Sequence, residues 1–389
     1  MSDTQKHTKP NVPNLRFPGF EGEWERCTLG EIGSPYNGLT GKSGDDFGSG
    51  SPYITYKSIF DDTRIDLSRC EFVKISEQER KTQNQVRKGD IFFTISSETP
   101  DEVGMSSVLL DDVNDCYLNS FCFGFRLNVT TALTEFLRFY LRSKTIRKKI
   151  SILAQGSTRY NISKGEIMKM PLRLPFPQEQ KKIAESFSLI EERISIQNKV
   201  IEKYESLIKA LRHHIFSTIE TEKEVTIADV LSYEQPTEYI VSDTEYSDNK
   251  DLTPVLTANK AFILGYTEEI DGIYDKGPCI ILDDFTLDSK IVDFPFKVKS
   301  SAIKILSAKS TVSLRYIFEY LKFLDLNTEE HKRHYIAEIE PMTIELPDED
   351  SIQSIASLFD RMDQRRKGLE RGLQLLRSQK EYLLRALFI

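Results

Sequence analysis

Residues 174–216 and 346–388 can be laid over one another without a gap, at a constant offset of 172 positions. LPFPQEQKKIAESFSLI in the first stretch meets LPDEDSIQSIASLFDRM in the second, and Leu174, Pro175, Ile183, Ala184, Phe187, Arg193, Leu211 and Phe216 have identical partners. Loops gain and lose residues at little free-energy cost, so a match this long without a gap marks a rigid element whose length matters. The period within it identifies the element. In the first copy Ile183, Phe187, Ile190, Ile194, Gln197, Ile201, Tyr204, Ile208, Leu211 and Ile215 step alternately by four and three. In the second, Ile355, Phe359, Met362, Arg366, Leu369, Leu373, Leu376, Lys380, Leu383 and Leu387 keep the same steps. A 3.5-residue apolar repeat held for this many turns predicts a coiled coil. Two equal helices in one chain, each with a single seam, are expected to pair with one another. Gln197, Arg366 and Lys380 interrupt the seams as polar residues that set register do. At about 1.5 Å per residue each helix would span roughly 50–60 Å. Prolines 175, 177 and 347 stand at the entries, where a missing N–H costs nothing.

Each helix follows a longer mixed segment, and the two segments echo one another in order. TLGEI (28–32) is answered by TIADV (226–230), PYITYK (52–57) by PVLTANK (254–260), and KGDIFF (88–93) by KGPCII (276–281). LNSF (118–121) is answered by VKSS (298–301), and FLRFYLRS (136–143) by IFEYLKF (317–323). Five echoes in one order indicate duplication. Runs such as YITYKSI, DIFFTIS, FCFGFRL, CIILDDF and AIKILSA, bounded by Gly, Ser, Asp and Pro, read as strands. Helical patterns close each segment at 131–155 and 311–326. The expected fold class is α+β: two similar domains, 1–173 and 221–345, alternate with long helices at 174–220 and 346–389 that pair as a coiled coil, the whole written as an internal repeat.

Composition narrows the function. The net charge is −8, but it is unevenly placed. Residues 138–173 hold ten Lys or Arg against Glu166 alone, whereas 224–345 hold 12 basic and 23 acidic residues. Within that acidic half, 290–315 carries six basic residues against Asp293. Basic charge gathered locally serves a polyanion better than the net figure suggests. The five cysteines (27, 70, 116, 122 and 279) are scattered without a CxxC pair, which argues for reduced thiols and against a zinc site or disulfide framework. No apolar run is long enough to span a membrane. MSDTQKHTKPNVPNL lacks the apolar centre of a secretory signal and reads as a flexible lead-in. A cytoplasmic location is expected.

Motifs for chemistry do not survive inspection. DDFGSGSPYIT (45–55) lacks the FxGxG spacing of a methyltransferase cofactor loop, and Ser51-Pro52-Tyr53 is not a (D/N)PP(Y/F) motif. Pro100-Asp101-Glu102 has no ExK strand after it. No GxxxxGK[ST] is present, and His7, His213, His214, His331 and His334 make no metal spacing.

The layout, the P-x-EQ-x-x-IA opening of the first helix (Pro177–Ala184), the entry Trp24–Ile32, the Gly89-Asp90-Ile91 turn, PVLTANKAFILGY and KRHYIAEI together resemble the specificity (S) subunit of Type I restriction–modification systems. The second helix departs from that pattern, opening EDSIQSIA without the EQ pair. The resemblance implies that the two long helices form an antiparallel coiled coil with a pseudo-two-fold relation between the halves, and that the chain is a non-catalytic reader of double-stranded DNA in which each target recognition domain reads one half of a bipartite target and helix length sets the gap. It also implies two methyltransferase (M) subunits that modify adenine and two restriction (R) subunits. S-adenosylmethionine, ATP and magnesium would then sit on those partners and not on this chain.

The candidate DNA contacts lie in polar and basic loops. Arg159, Tyr160 and Asn161 follow a Gly156 turn in the most basic stretch, with Arg147 and Lys148 upstream. Ser96 and Ser97 follow the Gly-Asp-Ile strand, and Lys57 ends the PYITYK echo. In the second domain Lys260, Thr286, Lys299, Ser300, Arg333, His334 and Tyr335 hold the comparable places. The competing reading is an interaction scaffold, a coiled coil with two protein-binding heads, for which the acidic second domain argues.

Overall fold

The computed structural model describes residues 11–257, 262–309, 312–326 and 334–389. Two compact units are present. The first runs to Ile196 and takes back Leu373–Ile389; the second is Gln197–Gly372. Each long helix thus gives one end to each unit, whereas the boundaries drawn from sequence set the helices apart from the domains.

In the first unit β1 (Glu25–Thr28) passes through the single turn α1 (Leu29–Ile32) into β2 (Gly33–Asn37). Then come β3 (Phe47–Ile54), α2 (Tyr56–Asp61), β4 (Glu71–Val73) and α3 (Glu77–Thr82). Strands β5 (Ile91–Thr94), β6 (Ser96–Ser97), β7 (Ser106–Val108), β8 (Tyr117–Leu118) and β9 (Cys122–Leu127) follow. Helices α4 (Thr134–Tyr140) and α5 (Lys144–Ile152), strand β10 (Tyr160–Asn161), α6 (Lys164–Met168) and β11 (Pro171–Leu174) lead to α7 (Pro177–Thr218). The sheets are ordered β2-β9-β5-β7 and β4-β3-β8, with β3 and β8 parallel, and β1 pairs with β11. YITYKSI is only partly strand. Thr55 accepts the Ser58 N–H at 3.2 Å and so caps α2, and local capping outweighs the β-branched pattern.

The second unit repeats the plan. β12 (Lys223–Thr226), α8 (Ile227–Val230) and β13 (Leu231–Glu234) precede β14 (Thr253–Leu256) and β15 (Ile263–Thr267). β16 (Cys279–Asp283), β17 (Ser289–Val292), β18 (Lys297–Val298), β19 (Ile303–Ala308), α9 (Leu314–Phe323), β20 (Thr343–Leu346) and α10 (Glu349–Ala386) complete it. Its sheets run β13-β19-β16-β17 and β15-β14-β18, with β14 and β18 parallel, and β12 pairs with β20. Apart from the β6-β10 pair, which has no counterpart among the described residues of the second unit, this is the strand order of the first unit. The TLGEI and TIADV echo has a shared cause: the Glu31 carboxylate accepts the Thr28 N–H (2.6 Å) and Asp229 that of Thr226 (2.8 Å), each opening a one-turn helix.

The helix ends pack antiparallel within each unit. In the first, Phe187 stacks on Phe388 with ring centroids 5.6 Å apart, and Lys380 reaches Glu191 at 2.7 Å. In the second, Phe359 stacks on Phe216 at 6.4 Å, and Gln197 Nε2 donates to the Leu369 carbonyl at 2.8 Å. The offset of 172 makes these two aromatic pairs the same pair, written once in each direction. Every seam position is buried or half-buried. The EQ pair has a structural use. Glu179 is buried against Arg16 (2.8 and 2.6 Å). The buried Gln180 amide accepts the Leu133 N–H and donates to the carbonyls of Thr131 and Pro175. Their counterparts Ser351 and Ile352 do other work: Ser351 N–H donates to the Asp348 carboxylate at the start of α10, and Ile352 enters the core. Arg16 belongs to a segment that is docked from Asn11 on. Leu15 N–H donates to Ala386, and Trp24 N–H to Asn11. The flexible lead-in expected up to Leu15 is thus fixed over its last residues, because their backbone groups are paired. Among the described residues no helix is long and apolar enough to cross a membrane.

Candidate nucleic-acid interface

In the first unit three loops meet at Ile95, the residue between β5 and β6. Ile95 N–H donates to the Phe121 carbonyl (3.1 Å), and the Ile95 carbonyl accepts the Ile162 N–H (2.9 Å). This brings together the 95–105 loop, the 119–121 turn and the 155–161 hairpin. Gln155 and Asn161 exchange backbone hydrogen bonds of 2.9 and 2.8 Å, closing that hairpin, and β10 pairs with β6. Its tip, Gly156–Arg159, is exposed. Gly156 has φ +135, and a β-carbon there would collide with the Arg159 carbonyl. Gly156→Ala should therefore distort the tip at a cost of about 1–3 kcal/mol and weaken any ligand the hairpin holds, while the β2-β9-β5-β7 sheet stays intact by amide exchange.

Arg159, Ser96, Ser97, Tyr160 and Asn161, singled out from sequence, are thus neighbours. Arg159 Nη2 donates to Ser96 Oγ at 3.2 Å, and Tyr56 Oη donates to the Ser96 carbonyl at 2.6 Å. Ser97 Oγ and Thr99 Oγ1 both donate to Glu102 (3.2 and 2.9 Å). Ser96 and Ser97 are buried, so they position the rim, while the exposed Arg159 and Asn161 face outward. Burial raises the Tyr56 phenol pKa, against the opposing effects of the Ser97 and Thr94 hydroxyls and the Arg159 charge. Lys57 is exposed beside Tyr56 on α2.

The second unit repeats this junction at Asp284. Asp284 N–H donates to Ala302 (2.8 Å), and its carbonyl accepts the His334 N–H (3.3 Å). The Asp284 carboxylate adds bonds from the His334 and Tyr335 N–H groups (3.1 and 2.8 Å) and pairs with Lys304 at 3.1 Å. Thr286, Lys299 and Ser300 are exposed on the loops that meet here. Asp283 accepts the N–H groups of Phe285 and Thr286, both at 2.9 Å, which shapes the first of them. Lys260 and Arg333 lie outside the described residues.

Several expectations need correction. Tyr335 is fully buried and His334 nearly so, which makes them supports for the rim rather than surfaces for a duplex. Burial raises the Tyr335 phenol pKa. Arg147 turns inward and donates to the carbonyls of Asp101, Val103 and Gly104, tying down the loop that carries Glu102. Lys148 is exposed but lies beside Lys144, Ile152 and Arg385, among residues that do not include the Ile95 rim. Much of the basic charge counted from sequence is internal in the same way. Arg138 pairs with Glu191 and the half-buried Lys149 donates to the Pro171 carbonyl, whereas Lys169 stays exposed and pairs with Glu166 on the surface. In 290–315, Lys297 pairs with Glu269, Lys304 with Asp284 and Arg315 with Asp360. The signal missed was Phe121. It is exposed and next to Ile95, and the echo of LNSF with VKSS had already placed its loop.

Residues 21–206 match the family model of the Type I restriction modification DNA specificity domain. The Type I restriction enzyme EcoR124I/EcoR124II specificity subunit of Escherichia coli is 43% identical over 127 residues. That match spans 31% of this chain and 31% of the relative's own length. The fold is that of the crystal structure of a Type-I restriction-modification system S subunit from M. genitalium, at TM-score 0.61 and 14% identity, covering 97% of this chain and 99% of that one. A structure addressing complex assembly and conformational transition of the type I R-M system is similar at TM-score 0.55 and 15% identity, covering 95% of this chain and 97% of that one.

Proposed function

We propose that this chain, which belongs to the Type I restriction–modification specificity-subunit family, reads a bipartite DNA target, each unit taking one half through the three-loop junction at Ile95 or Asp284. The observation that carries this reading is the recurrence of one backbone junction at the end of the same strand in both units. Two unlike loop sets held on one scaffold suit two different half-sites. The chain positions, and partner subunits catalyse: methyltransferase subunits modify adenine in each half, and restriction subunits cleave. S-adenosylmethionine, ATP and magnesium belong to those partners.

In this reading Arg159 approaches DNA with its guanidinium steered by Ser96. A fork of N–H donors suits the O6 and N7 acceptors of guanine. Arg159→Ala in the complex with methyltransferase subunits should weaken binding to the cognate duplex by about 1–3 kcal/mol and relax preference at one base pair of one half-site. An equal loss on every sequence would make Arg159 a phosphate contact. A complex that binds no DNA with sequence preference, its methylated adenines having no shared context, would overturn the proposal and favour the scaffold reading.

A further inference from the structure

Phe121 is 60% exposed on a rim whose other outward groups are polar. Its place is fixed. Phe121 N–H donates to Asn119 Oδ1 at 2.7 Å, and the Asn119 amide donates to Tyr53 Oη at 2.5 Å. Asn119 N–H donates to the Ile54 carbonyl at 3.0 Å, and the Phe121 carbonyl accepts from Ile95. The turn is thus held by β3 on one side and by the Ile95 junction on the other, so the backbone carrying the ring has little freedom. An exposed phenyl ring on a rigid turn gains nothing for folding, since the core does not use it. The second unit has a different group here: the residue whose carbonyl meets the junction is Ala302, preceded by Lys299, Ser300 and Ser301.

We infer that Phe121 is a specificity-determining residue, which reads the 5-methyl group of a thymine in the half-site of the first unit; this rests on the DNA-reading function proposed above. The base edges of the major groove present hydrogen-bonding groups and one apolar group, the thymine methyl. Arg159 and Asn161 on the neighbouring hairpin serve the former, and an apolar ring fixed beside them is matched to the latter. Ala302 offers a single methyl at the equivalent place, so the requirement belongs to one half of the target.

The test selects duplexes from a random library with the full chain assembled with methyltransferase subunits, using wild type, Phe121→Ala and Phe121→Leu. The wild type is expected to select a thymine at one fixed position of one half-site. Replacing that thymine by uracil, which removes only the methyl, should weaken binding about three- to five-fold, the order of one buried methyl group. Phe121→Ala should lose a similar factor on the thymine duplex and be indifferent to uracil, while Phe121→Leu keeps most of the sensitivity. The ring is exposed, so the thermal transition should be unchanged in both variants. A first half-site without thymine, or a Phe121→Ala complex as sensitive to uracil as wild type, overturns the inference. A loss in Phe121→Ala that is equal on thymine and uracil, with wild type indifferent to uracil, also overturns it and makes the ring a wedge between base pairs. A wild-type complex that selects no sequence at all is a distinct result, because it sinks the proposed function itself.

Discussion

Asp284→Ala is expected to destabilise the second unit by about 3–5 kcal/mol, the cost of stranding a buried charge by removing its partner. The carboxylate is 2% exposed and the Lys304 side chain 3%, so neither charge has water to fall back on. Among the described residues Lys304 would keep only the Tyr233 hydroxyl at 3.3 Å and the Tyr233 ring face at 5.0 Å. The N–H groups of His334 and Tyr335 would lose their shared acceptor as well. Denaturant unfolding followed by far-UV circular dichroism reads the effect. Removing both charges in Asp284→Ala/Lys304→Met should recover much of the loss, since the replacement no longer leaves an unpaired ion. An unshifted midpoint in the single variant would show that Lys304 relaxes to water and that the junction does not depend on the pair. The same variant should loosen the 334–335 backbone, which keeps only the bond from the His334 N–H to the residue-284 carbonyl, and, if the proposed function holds, relax the half-site of the second unit alone.

Arg142→Ala should cost the first unit about 3–5 kcal/mol, although its sequence context suggests a DNA contact. Nε donates to the Ser106 carbonyl at 2.6 Å, and Nη2 lies 2.6–3.1 Å from those of Ile59, Phe60 and Asp62. One guanidinium thus joins the end of α2 to β7. Burial, reinforced by the nearby Arg147 charge, pushes its pKa down to about 10. Lysine cannot reproduce the planar fork, so Arg142→Lys should fall well short of rescue. Trp24, the single tryptophan of the chain, is buried in the core of this unit, and its emission reports the transition. The slope of log K for DNA against log salt separates stability from binding. Loss of a phosphate contact would lower that slope by about one, whereas a structural arginine leaves it unchanged. A stable variant with a reduced slope would overturn this structural role and make Arg142 a phosphate contact.

The contacts of Lys304 and Arg142 explain why a count of basic residues misleads. Ten Lys or Arg against one acid in 138–173 is a correct count, but it overstates the free patch, because four of the ten are engaged within the unit. Arg142 and Arg147 are spent on carbonyls, Arg138 on Glu191 and Lys149 on Pro171. An arginine bonding a loop carbonyl and an arginine waiting for a phosphate have the same letter in the same polar surroundings. The choice between them depends on which loop passes within 3 Å, and that loop is distant in sequence: 43 positions separate Arg147 from Gly104.

The helices and the duplication were legible in the sequence by itself, because their signals are local or periodic. A seam that steps by four and three determines which face is buried wherever the partner comes from, and the offset of 172 determines that Phe187 and Phe216 have the counterparts Phe359 and Phe388. The one-turn helices at Thr28 and Thr226 follow from carboxylates three residues away. Only the tertiary structure decided that each unit takes the start of one helix and the end of the other, since pairing Phe187 with Phe388 and Phe359 with Phe216 depends on direction, which a heptad pattern leaves open. It also decided the rim. Ile95 and Asp284 share no chemistry, yet each offers its backbone N–H and carbonyl to the same two loops. Main-chain groups are identical in every residue but proline, so a junction made by them leaves no letter to read. The same is true of exposure. Tyr160 and Tyr335 read alike as aromatic loop residues, and packing against the Tyr233 ring at 5.6 Å put the second inside.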